Sequence, residues 1–230
     1  MSRATMAAAS AAVPRPDLYG IGSCKVGTEI HEFEIGWDEA ERDNAWALDV
    51  LRTTGLSSDD LALLTLPNWE GPWFSPLVAG LRSLKVTLAL AENYGWDARR
   101  AAHMIRNLKP RAYVGLCAET LQGFGGHGDD VAELLADIEF VWARHDALTP
   151  LSTLGVEALP LVPLGPALAI GLPGVGAVVN SAEWSVATLD GQFVVSTAAD
   201  RRTRFVDVET GICGRVGASV VQGTLVEFDL

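Results

Sequence analysis

The first residues whose types could support chemistry are a serine, a cysteine and a lysine in the segment GSCKVG, residues 22–27. Glycines allow backbone N–H groups to approach an anion closely, and a lysine adds positive charge. We therefore predict an anion or phosphate site at Ser23, Cys24 and Lys25. A second hypothesis is a reactive thiolate, since a neighbouring lysine favours the ionised form of a cysteine. The alternative is an ordinary turn with a partly buried thiol.

A second candidate site is the segment NWEGPW, residues 68–73, which directly follows the apolar run LALLTLP. Ligands of open α/β sheets bind beyond the carboxyl ends of the strands. Trp69 and Trp73 are therefore predicted to form an aromatic wall for an apolar or aromatic ligand, with Glu70 as a polar contact. The alternative is that both tryptophans only cover the edge of the sheet.

The remaining cysteines and histidines indicate no clear site. Cys117 ends a predicted strand and is a candidate nucleophile with Glu119 nearby, but no histidine partner can be placed, so a core cysteine is the competing interpretation. The three cysteines are widely spaced without a CxxC pair, which argues against disulfides and favours a reducing, cytoplasmic compartment. The four histidines show no metal-ligand spacing, so no metal is expected.

Charge and hydropathy argue against two classes of partner. The formal net charge is −12, and no cluster of more than two basic residues occurs, so no nucleic-acid partner is expected. No apolar run approaches the roughly 20 residues that span a membrane, so no membrane partner is expected either. The Ala-rich residues 1–17 lack the apolar core of a signal peptide and are predicted to form a flexible leader.

Apolar strands alternate with amphipathic helices in the first two thirds of the chain. The predicted strands are 61–67, 85–91 and 111–117, and the predicted helices are 38–55, 75–84, 96–109 and 128–145. Continuous apolar strands separated by helices are typical of a parallel sheet covered by helices. The last helix rests on the spacing of its apolar residues, Val131, Leu134, Leu135, Ile138 and Val141.

The pattern changes after residue 149, where short runs rich in β-branched residues alternate with glycine and proline. This pattern predicts antiparallel strands, and LDGQ at 189–192 is typical of a tight hairpin turn. The predicted fold class is α/β, with a largely parallel sheet flanked by helices, followed by a smaller antiparallel β-rich portion. The predicted domains are a flexible leader at 1–17, an α/β subdomain at 18–150 and a β-rich subdomain at 151–230.

Three longer segments occur in the order in which a known enzyme family has its own. They are GLSSDDLALLTLPNWEGPWFSPLVAGLRSLKVTLAL (55–90), WDARRAAHMIRNLKPRAYVGLCAETLQGF (96–124) and EWSVATLDGQFVVSTAADRRTRFVDVETGICGRV (183–216). Together with GSCKVG they resemble the adenylate-forming (ANL) superfamily, and within it the phenylacetate-CoA ligase and acyl-CoA synthetase branch. The resemblance spans residues 18–216 with gaps.

The resemblance fails at the motifs that bind the nucleotide in this family. The family's phosphate loop, SGTTGxP, is GSCKVG here, with Cys24 for a threonine, Lys25 for a glycine and no proline. The family's YGxTE motif has no counterpart, and its nearest placement, VPLGPALAIG at 162–171, contains neither Thr nor Glu. The family's RTGD turn is ETGI at 209–212, where Ile212 cannot accept a hydrogen bond from the ribose hydroxyls.

These departures imply a truncated relative, without the family's C-terminal domain, that has lost ATP-dependent adenylation. It would retain at most a pocket for an acyl or aryl acid or its thioester, with CoA or a nucleotide as the cofactor left open. The implied ligand contacts are Ser23, Cys24, Lys25, Trp69, Glu70, Trp73 and Thr210. One alternative is an active acid–thiol ligase or thioester-handling enzyme with different catalytic residues. The other is an interaction subunit that forms a homodimer or pairs with a partner enzyme.

Overall fold

A computed structural model describes residues 17–26, 29–67 and 70–230 of the chain. The leader predicted at 1–17 lies outside these ranges except for Asp17. The strands are Leu18–Val26 (β1), Glu29–Gly36 (β2), Leu61–Leu64 (β3), Thr87–Leu90 (β4), Ala112–Leu116 (β5), Phe140–Ala143 (β6), Leu159–Leu164 (β7), Ala167–Leu172 (β8), Gly176–Val179 (β9), Trp184–Leu189 (β10), Gln192–Thr197 (β11), Val208–Val220 (β12) and Gly223–Phe228 (β13). The α-helices are Trp37–Arg52 (α1), Gly71–Ser83 (α2), Ala98–Leu108 (α3), Ala118–Gly126 (α4), Val131–Leu135 (α5) and His145–Thr153 (α6).

One mixed sheet of eleven strands organises the fold, in the order β10-β11-β12-β13-β9-β8-β7-β6-β5-β3-β4. Strands β4, β3, β5, β6 and β7 are parallel, and helices connect them because parallel neighbours need crossovers. Strands β5 and β6 are buried along their whole length, since both faces of this half of the sheet are covered. Among the described helices none is long and apolar enough to cross a membrane.

The antiparallel half begins at β7, which is parallel to β6 and antiparallel to β8. All pairings from β7 to β10 are antiparallel, so most pairings of the sheet are of this type. The predicted α/β class, a parallel sheet flanked by helices and followed by antiparallel strands, is confirmed, but both portions form a single sheet and the antiparallel portion is the larger of the two. The subdomain boundary near residue 150 stays a prediction.

The helix predicted at 128–145 is wrong. This segment instead contains the short helix α5, the buried strand β6 and the first residue of α6. Apolar residues at helical spacing also fit a short helix followed by an apolar strand, and periodicity alone does not distinguish the two. Pairing decides the outcome, because Phe140–Ala143 hydrogen-bonds between β5 and β7 in the centre of the parallel half.

The hairpin predicted at LDGQ is confirmed. Leu189 pairs with Gln192, and the two residues between them, Asp190 and Gly191, have φ angles of 50° and 81°. Positive φ at both central positions matches the twist of a two-residue hairpin, and aspartate followed by glycine is a favoured sequence for it.

A cluster of buried charges fastens helix α1 to the β10 side of the sheet. The Arg201 guanidinium donates to Asp43 and Glu183 and lies 3.5 Å from Glu39, and only 5% of its side chain is exposed. It also lies 4.6 Å from the centre of the Trp184 ring. Glu39 is almost fully buried and depends on this arginine for charge compensation, whereas Glu183, which is equally buried, also accepts from Arg42.

Replacing Arg201 with alanine is expected to lower the free energy of unfolding by about 3–5 kcal/mol, since it leaves the buried Glu39 carboxylate without a compensating cation. Denaturant unfolding measures this change. The matched control is Arg215→Ala, because Arg215 forms an exposed pair with Glu227 and its loss should stay within about 0.5 kcal/mol. Equal losses in the two variants would contradict a stabilising role for the cluster.

Candidate functional site

A cavity of about 410 Å³ lies at the carboxyl ends of the parallel strands β3, β5 and β6. Parallel sheets bind ligands at this edge because the crossover connections leave a crevice there. Gly115, in β5, makes the close packing below the cavity feasible. A Cβ on this glycine would lie 2.4 Å from Leu66 and 2.9 Å from the carbonyl oxygen of Thr65, and its φ of 94° also disfavours other residues.

One wall of the cavity is apolar. Trp73, from the first turns of α2, is buried, and its indole Nε1 donates to the carbonyl of Gly165 at 3.0 Å. Val162 and Pro163 of β7 continue this wall, and Ile212 of the ETGI turn completes it. This wall matches the apolar and aromatic lining that small-molecule sites use.

Glu70 and Arg144 form the main ion pair of the cavity. The guanidinium of Arg144, directly after β6, donates to both carboxylate oxygens of Glu70, at 2.7 Å for Nη2 and Oε1. Each side chain is 18% exposed, and Arg144 also lies 4.9 Å from the centre of the Phe74 ring. The pair joins the start of α2 to the start of α6, and it fixes the position of the one arginine that lines the cavity among the described residues.

The polar lining has an excess of negative charge. The cavity is lined by the carboxylates of Glu70, Glu119 and Asp146 and by one guanidinium, that of Arg144, so these four side chains have a formal charge of −2. No group of three or more His, Cys, Asp or Glu side chains in the described part of the chain could hold a metal ion. Such a lining disfavours a polyphosphate and favours a ligand with little negative charge.

Helix α4 anchors the loop after β4. The Cys117 thiol and the Thr120 hydroxyl both donate to the backbone carbonyl of Asn93, each at 3.1 Å. The backbone N–H of Gly95 donates to Glu119 Oε1 at 2.9 Å. These three bonds fix the loop so that Asn93 lines the cavity. Cys117 is 8% exposed, and its thiol acts here as a donor to the backbone.

Two of the predicted ligand contacts lie in the cavity and one lies beside it. Glu70 and Trp73 line it, as predicted, while Trp69 lies outside the described residues. Thr210 accepts from the N–H of Ile212 and donates to the carbonyl of Phe193 at 3.0 Å, so it shapes the turn that presents Ile212. Ligand binding by these side chains stays a prediction.

The segment predicted as a phosphate loop is a β-strand. Ser23, Cys24 and Lys25 lie in β1 and pair with Glu32, His31 and Ile30 of β2. Pairing of Val26 with Glu29 leaves only residues 27 and 28 between the strands, and these lie outside the described residues. The extended backbone of a strand does not have the curled geometry with which a glycine-rich loop cradles a phosphate, and none of the three side chains is among the described residues lining the cavity.

Burial argues against the thiolate hypothesis for Cys24. Its side chain is 5% exposed, and burial raises the pKa of the Cys24 thiol, the opposite of what Lys25 was expected to do. The Val162–Gly171 segment, the nearest placement of the missing nucleotide motif, forms most of the β7–β8 hairpin.

Sequence analysis missed Arg144, His145 and Asn93 as site residues. Arg144 and His145 were placed at the end of a helix, but they follow a buried strand and so lie at the ligand-binding edge of the sheet. The run FVWA, four apolar residues bounded by Glu139 and Arg144, is the signal that could have indicated a strand.

The solved structures most similar to this chain include acyl-acid ligases. Over 93% of this chain, a 2-hydroxyisobutyryl-CoA ligase in complex with 2-HIB-AMP and CoA has a TM-score of 0.65 and 11% identity. Mycobacterium smegmatis MbtA gives 0.64 with 13% identity over 94%, and a Brucella canis acyl-CoA synthetase gives 0.59 with 17% identity over 96%. The chain spans 56%, 47% and 48% of these proteins, about half of each.

The sequence matches no protein-family model and no curated protein. At 11–17% identity, the structural similarity establishes a shared fold and leaves the activity of this chain open. The resemblance to adenylate-forming enzymes seen in the sequence is therefore confirmed at the level of the fold.

Thiol labelling at neutral pH is expected to modify Cys213 rapidly and Cys24 slowly. Cys213 is exposed, whereas Cys24 is buried and its raised pKa keeps the thiol protonated at pH 7. Mass spectrometry of peptides after brief iodoacetamide treatment measures both sites. The fast phase should disappear in Cys213→Ser and persist in Cys24→Ser, and the reverse pattern would contradict the placement of β1.

Proposed function

We propose, from the premise that this chain has the acyl-CoA ligase fold, that it binds an acyl or aryl acid, or the corresponding thioester, without adenylating it. The main support is the composition of the cavity wall. Ile212 lines the cavity with Trp73, and the guanidinium of Arg144 lines it too. A cavity with an apolar wall and one cation suits a ligand that joins a hydrocarbon body to a carboxyl or carbonyl group.

Three observations argue against ATP as a substrate. The cavity has a formal charge of −2, whereas a triphosphate needs compensating cations. The segment expected to cradle phosphate is paired β-strand, and an isoleucine lines the cavity where the family would have an aspartate for the ribose. Each of these three features removes a favourable contact to ATP. Together they support a binding protein over a ligase.

The thioester part of the proposal is supported by the size of the cavity and by the structural neighbours. Its volume of about 410 Å³ is within the range of small-molecule sites. The 2-hydroxyisobutyryl-CoA ligase with the same fold binds an acyl-adenylate and CoA in its crystal. We extend only the acyl class of ligand to this chain. The same proposal places the protein in the cytoplasm, because its three cysteines are free thiols.

Thermal-shift measurements with aryl and acyl acids, their phosphate-free N-acetylcysteamine thioesters, AMP and ATP test this function. We expect acids or thioesters to raise the Tm in a saturable way, since a ligand bound only by the native state stabilises it, and we expect nucleotides to have no effect. Pyrophosphate exchange with the same acids should be absent. Robust exchange would favour the active-ligase alternative instead.

Variants of Arg144 connect this binding to the cavity. Arg144→Lys keeps the positive charge but loses the bidentate hydrogen bonding to Glu70 that holds the cation in place. We therefore expect about tenfold weaker binding of the acids. Arg99→Lys, on the exposed face of α3, is the matched control and should leave affinity unchanged. Unchanged affinity in both variants would place the ligand elsewhere.

Self-association is a second candidate property, supported by the exposed edge of the sheet. Strand β4 is the last strand of the order, and Leu90 at its end is 61% exposed. Trp96, shortly after this strand, is 70% exposed. Edge strands with exposed apolar residues pair readily with a second chain. We propose that a second copy of this chain covers this edge.

Light-scattering mass measurements across a concentration series test the self-association. The unmodified chain should have the mass of a dimer, and Leu90→Glu should have the mass of a monomer, because the charge opposes burial of the edge. Leu189→Glu is the matched control, since Leu189 is 53% exposed at the end of the opposite edge strand β10. A monomeric mass for the unmodified chain would end this proposal.

A further inference from the structure

Strand β4 has a free backbone edge. It is the last strand of the eleven-stranded sheet and pairs with β3 on one side, and none of the described strands pairs with its other side. The N–H groups of Thr87 and Ala91 donate to carbonyls on the β3 side at 2.9 and 3.0 Å. Because backbone groups alternate between the two sides of a strand, the N–H and C=O groups of Leu88 and Leu90 point away from β3. Such unpaired groups are a template for a further strand.

An apolar groove of about 440 Å³ lies at the same edge, between α2 and β4. Leu88 and Leu90 are on the groove face of β4, since alternate residues of a strand share a face. Leu90 is 61% exposed, so the groove is open along the strand edge. The other apolar side chains that line it are Leu64, Leu66, Phe74 and Val78. A neighbouring strand with apolar residues at matching positions would cover this opening.

The charged side chains beside β4 have opposite signs at its two ends. Arg82 and Lys85 precede the strand, and the N–H of Lys85 donates to the carbonyl of Arg82 at 3.0 Å, which holds the end of α2 at the start of β4. Glu92 follows the strand, and it lines the groove together with Arg82. None of these three side chains forms an ion pair within the described part of the chain. A strand with cations at one end and an anion at the other complements a second copy that runs antiparallel to it.

We infer that two copies pair antiparallel through β4, about a twofold axis at Ala89, so that Glu92 of each copy lies beside Arg82 of the other. In this register Leu88 of one copy is opposite Leu90 of the second, and both side chains are on the groove face. The outward N–H and C=O groups of these leucines are then paired. This inference rests on the proposed self-association and specifies how the two copies meet.

Two features select this register over its neighbours. The N–H of Val86 donates to a carbonyl in the last turn of α2 at 3.0 Å, so it is not free for a register that places Val86 opposite Leu90. A register shifted the other way, with Leu90 opposite itself, would move Glu92 away from Arg82. The inferred register therefore pairs the free backbone groups and brings the opposite charges together.

Charge reversal tests the contact between Arg82 and Glu92. Arg82→Glu and Glu92→Arg each place like charges together twice in every dimer, so we expect at least about tenfold weaker dimerisation of each variant, measured by light scattering. Each copy has a formal net charge of −12. Because Glu92→Arg lowers this negative charge, long-range repulsion between copies would not explain weaker dimerisation of that variant.

Mixing the two variants separates this contact from structural damage. A heterodimer of Arg82→Glu with Glu92→Arg has both ion pairs restored, so we expect it to form about as tightly as the unmodified dimer, with native mass spectrometry as the measurement. The chain with both substitutions should also dimerise. Arg204→Glu, exposed in the loop between β11 and β12, is the control for net charge and should leave dimerisation unchanged.

A cysteine on the inferred twofold axis tests the register. Ala89 lies opposite its own copy in a non-hydrogen-bonded pair, with Cα atoms about 4.5 Å apart, which is within the range of disulfides. Ala89→Cys in a Cys213→Ser background should therefore form a covalent dimer under mild oxidation, visible on a non-reducing gel. Thr87→Cys in the same background is the control, because Thr87 is offset from its own copy along the strand and should stay uncross-linked.

The outcomes distinguish the contact from the self-association itself. In a dimeric chain, unchanged dimerisation after charge reversal, or failure of the mixed variants to associate, would overturn the inference while the self-association stands. Absence of a cross-link at Ala89→Cys in a dimeric chain, or an equal cross-link at Thr87→Cys, would also overturn it. A monomeric mass for the unmodified chain would instead overturn the proposed self-association.

Discussion

The ion pair between Glu70 and Arg144 is the interaction on which the candidate site depends. It joins the start of α2 to the start of α6 across the carboxyl edge of the parallel strands. Both side chains are largely buried, so each charge needs the other, and loss of either would leave the remaining one uncompensated. The pair thereby keeps a cation in a cavity whose other charged side chains are acidic.

The sheet below this ion pair is the part of the protein that resembles solved structures. Five parallel strands provide the ligand-binding edge, and the antiparallel strands extend the same sheet through β7. Acyl-CoA ligases of known structure share this arrangement over nearly the whole of this chain, although the chain spans only about half of each. At 11–17% identity, this similarity establishes the shared fold and leaves the ligand of the cavity open.

Parts of the fold and of the site could be predicted from sequence because they depend on local patterns. The apolar runs of β3, β4 and β5, the glycine-containing turn at Asp190–Gly191 and the aromatic segment after β3 were all recognised. The prediction failed at 128–145, where the same apolar spacing fits a helix or a helix followed by a strand. It failed again at Ser23–Lys25, where the glycines suggested a loop but pairing with Glu32, His31 and Ile30 makes a strand. Both errors concern residues whose conformation is set by partners distant in sequence.

The sequence by itself determined the α/β class, the position of the first binding edge and the apolar character of Trp73 and Ile212, because periodicity and side-chain chemistry are local properties. Only the tertiary structure decided that Arg144, His145 and Asn93 line one cavity. Asn93 follows β4 whereas Arg144 and His145 follow β6, and their proximity arises from the order in which β4, β3, β5 and β6 pair. Burial likewise decided the chemistry of Cys24, since the polarity around a thiol, and not its neighbour in sequence, sets the pKa of the thiol.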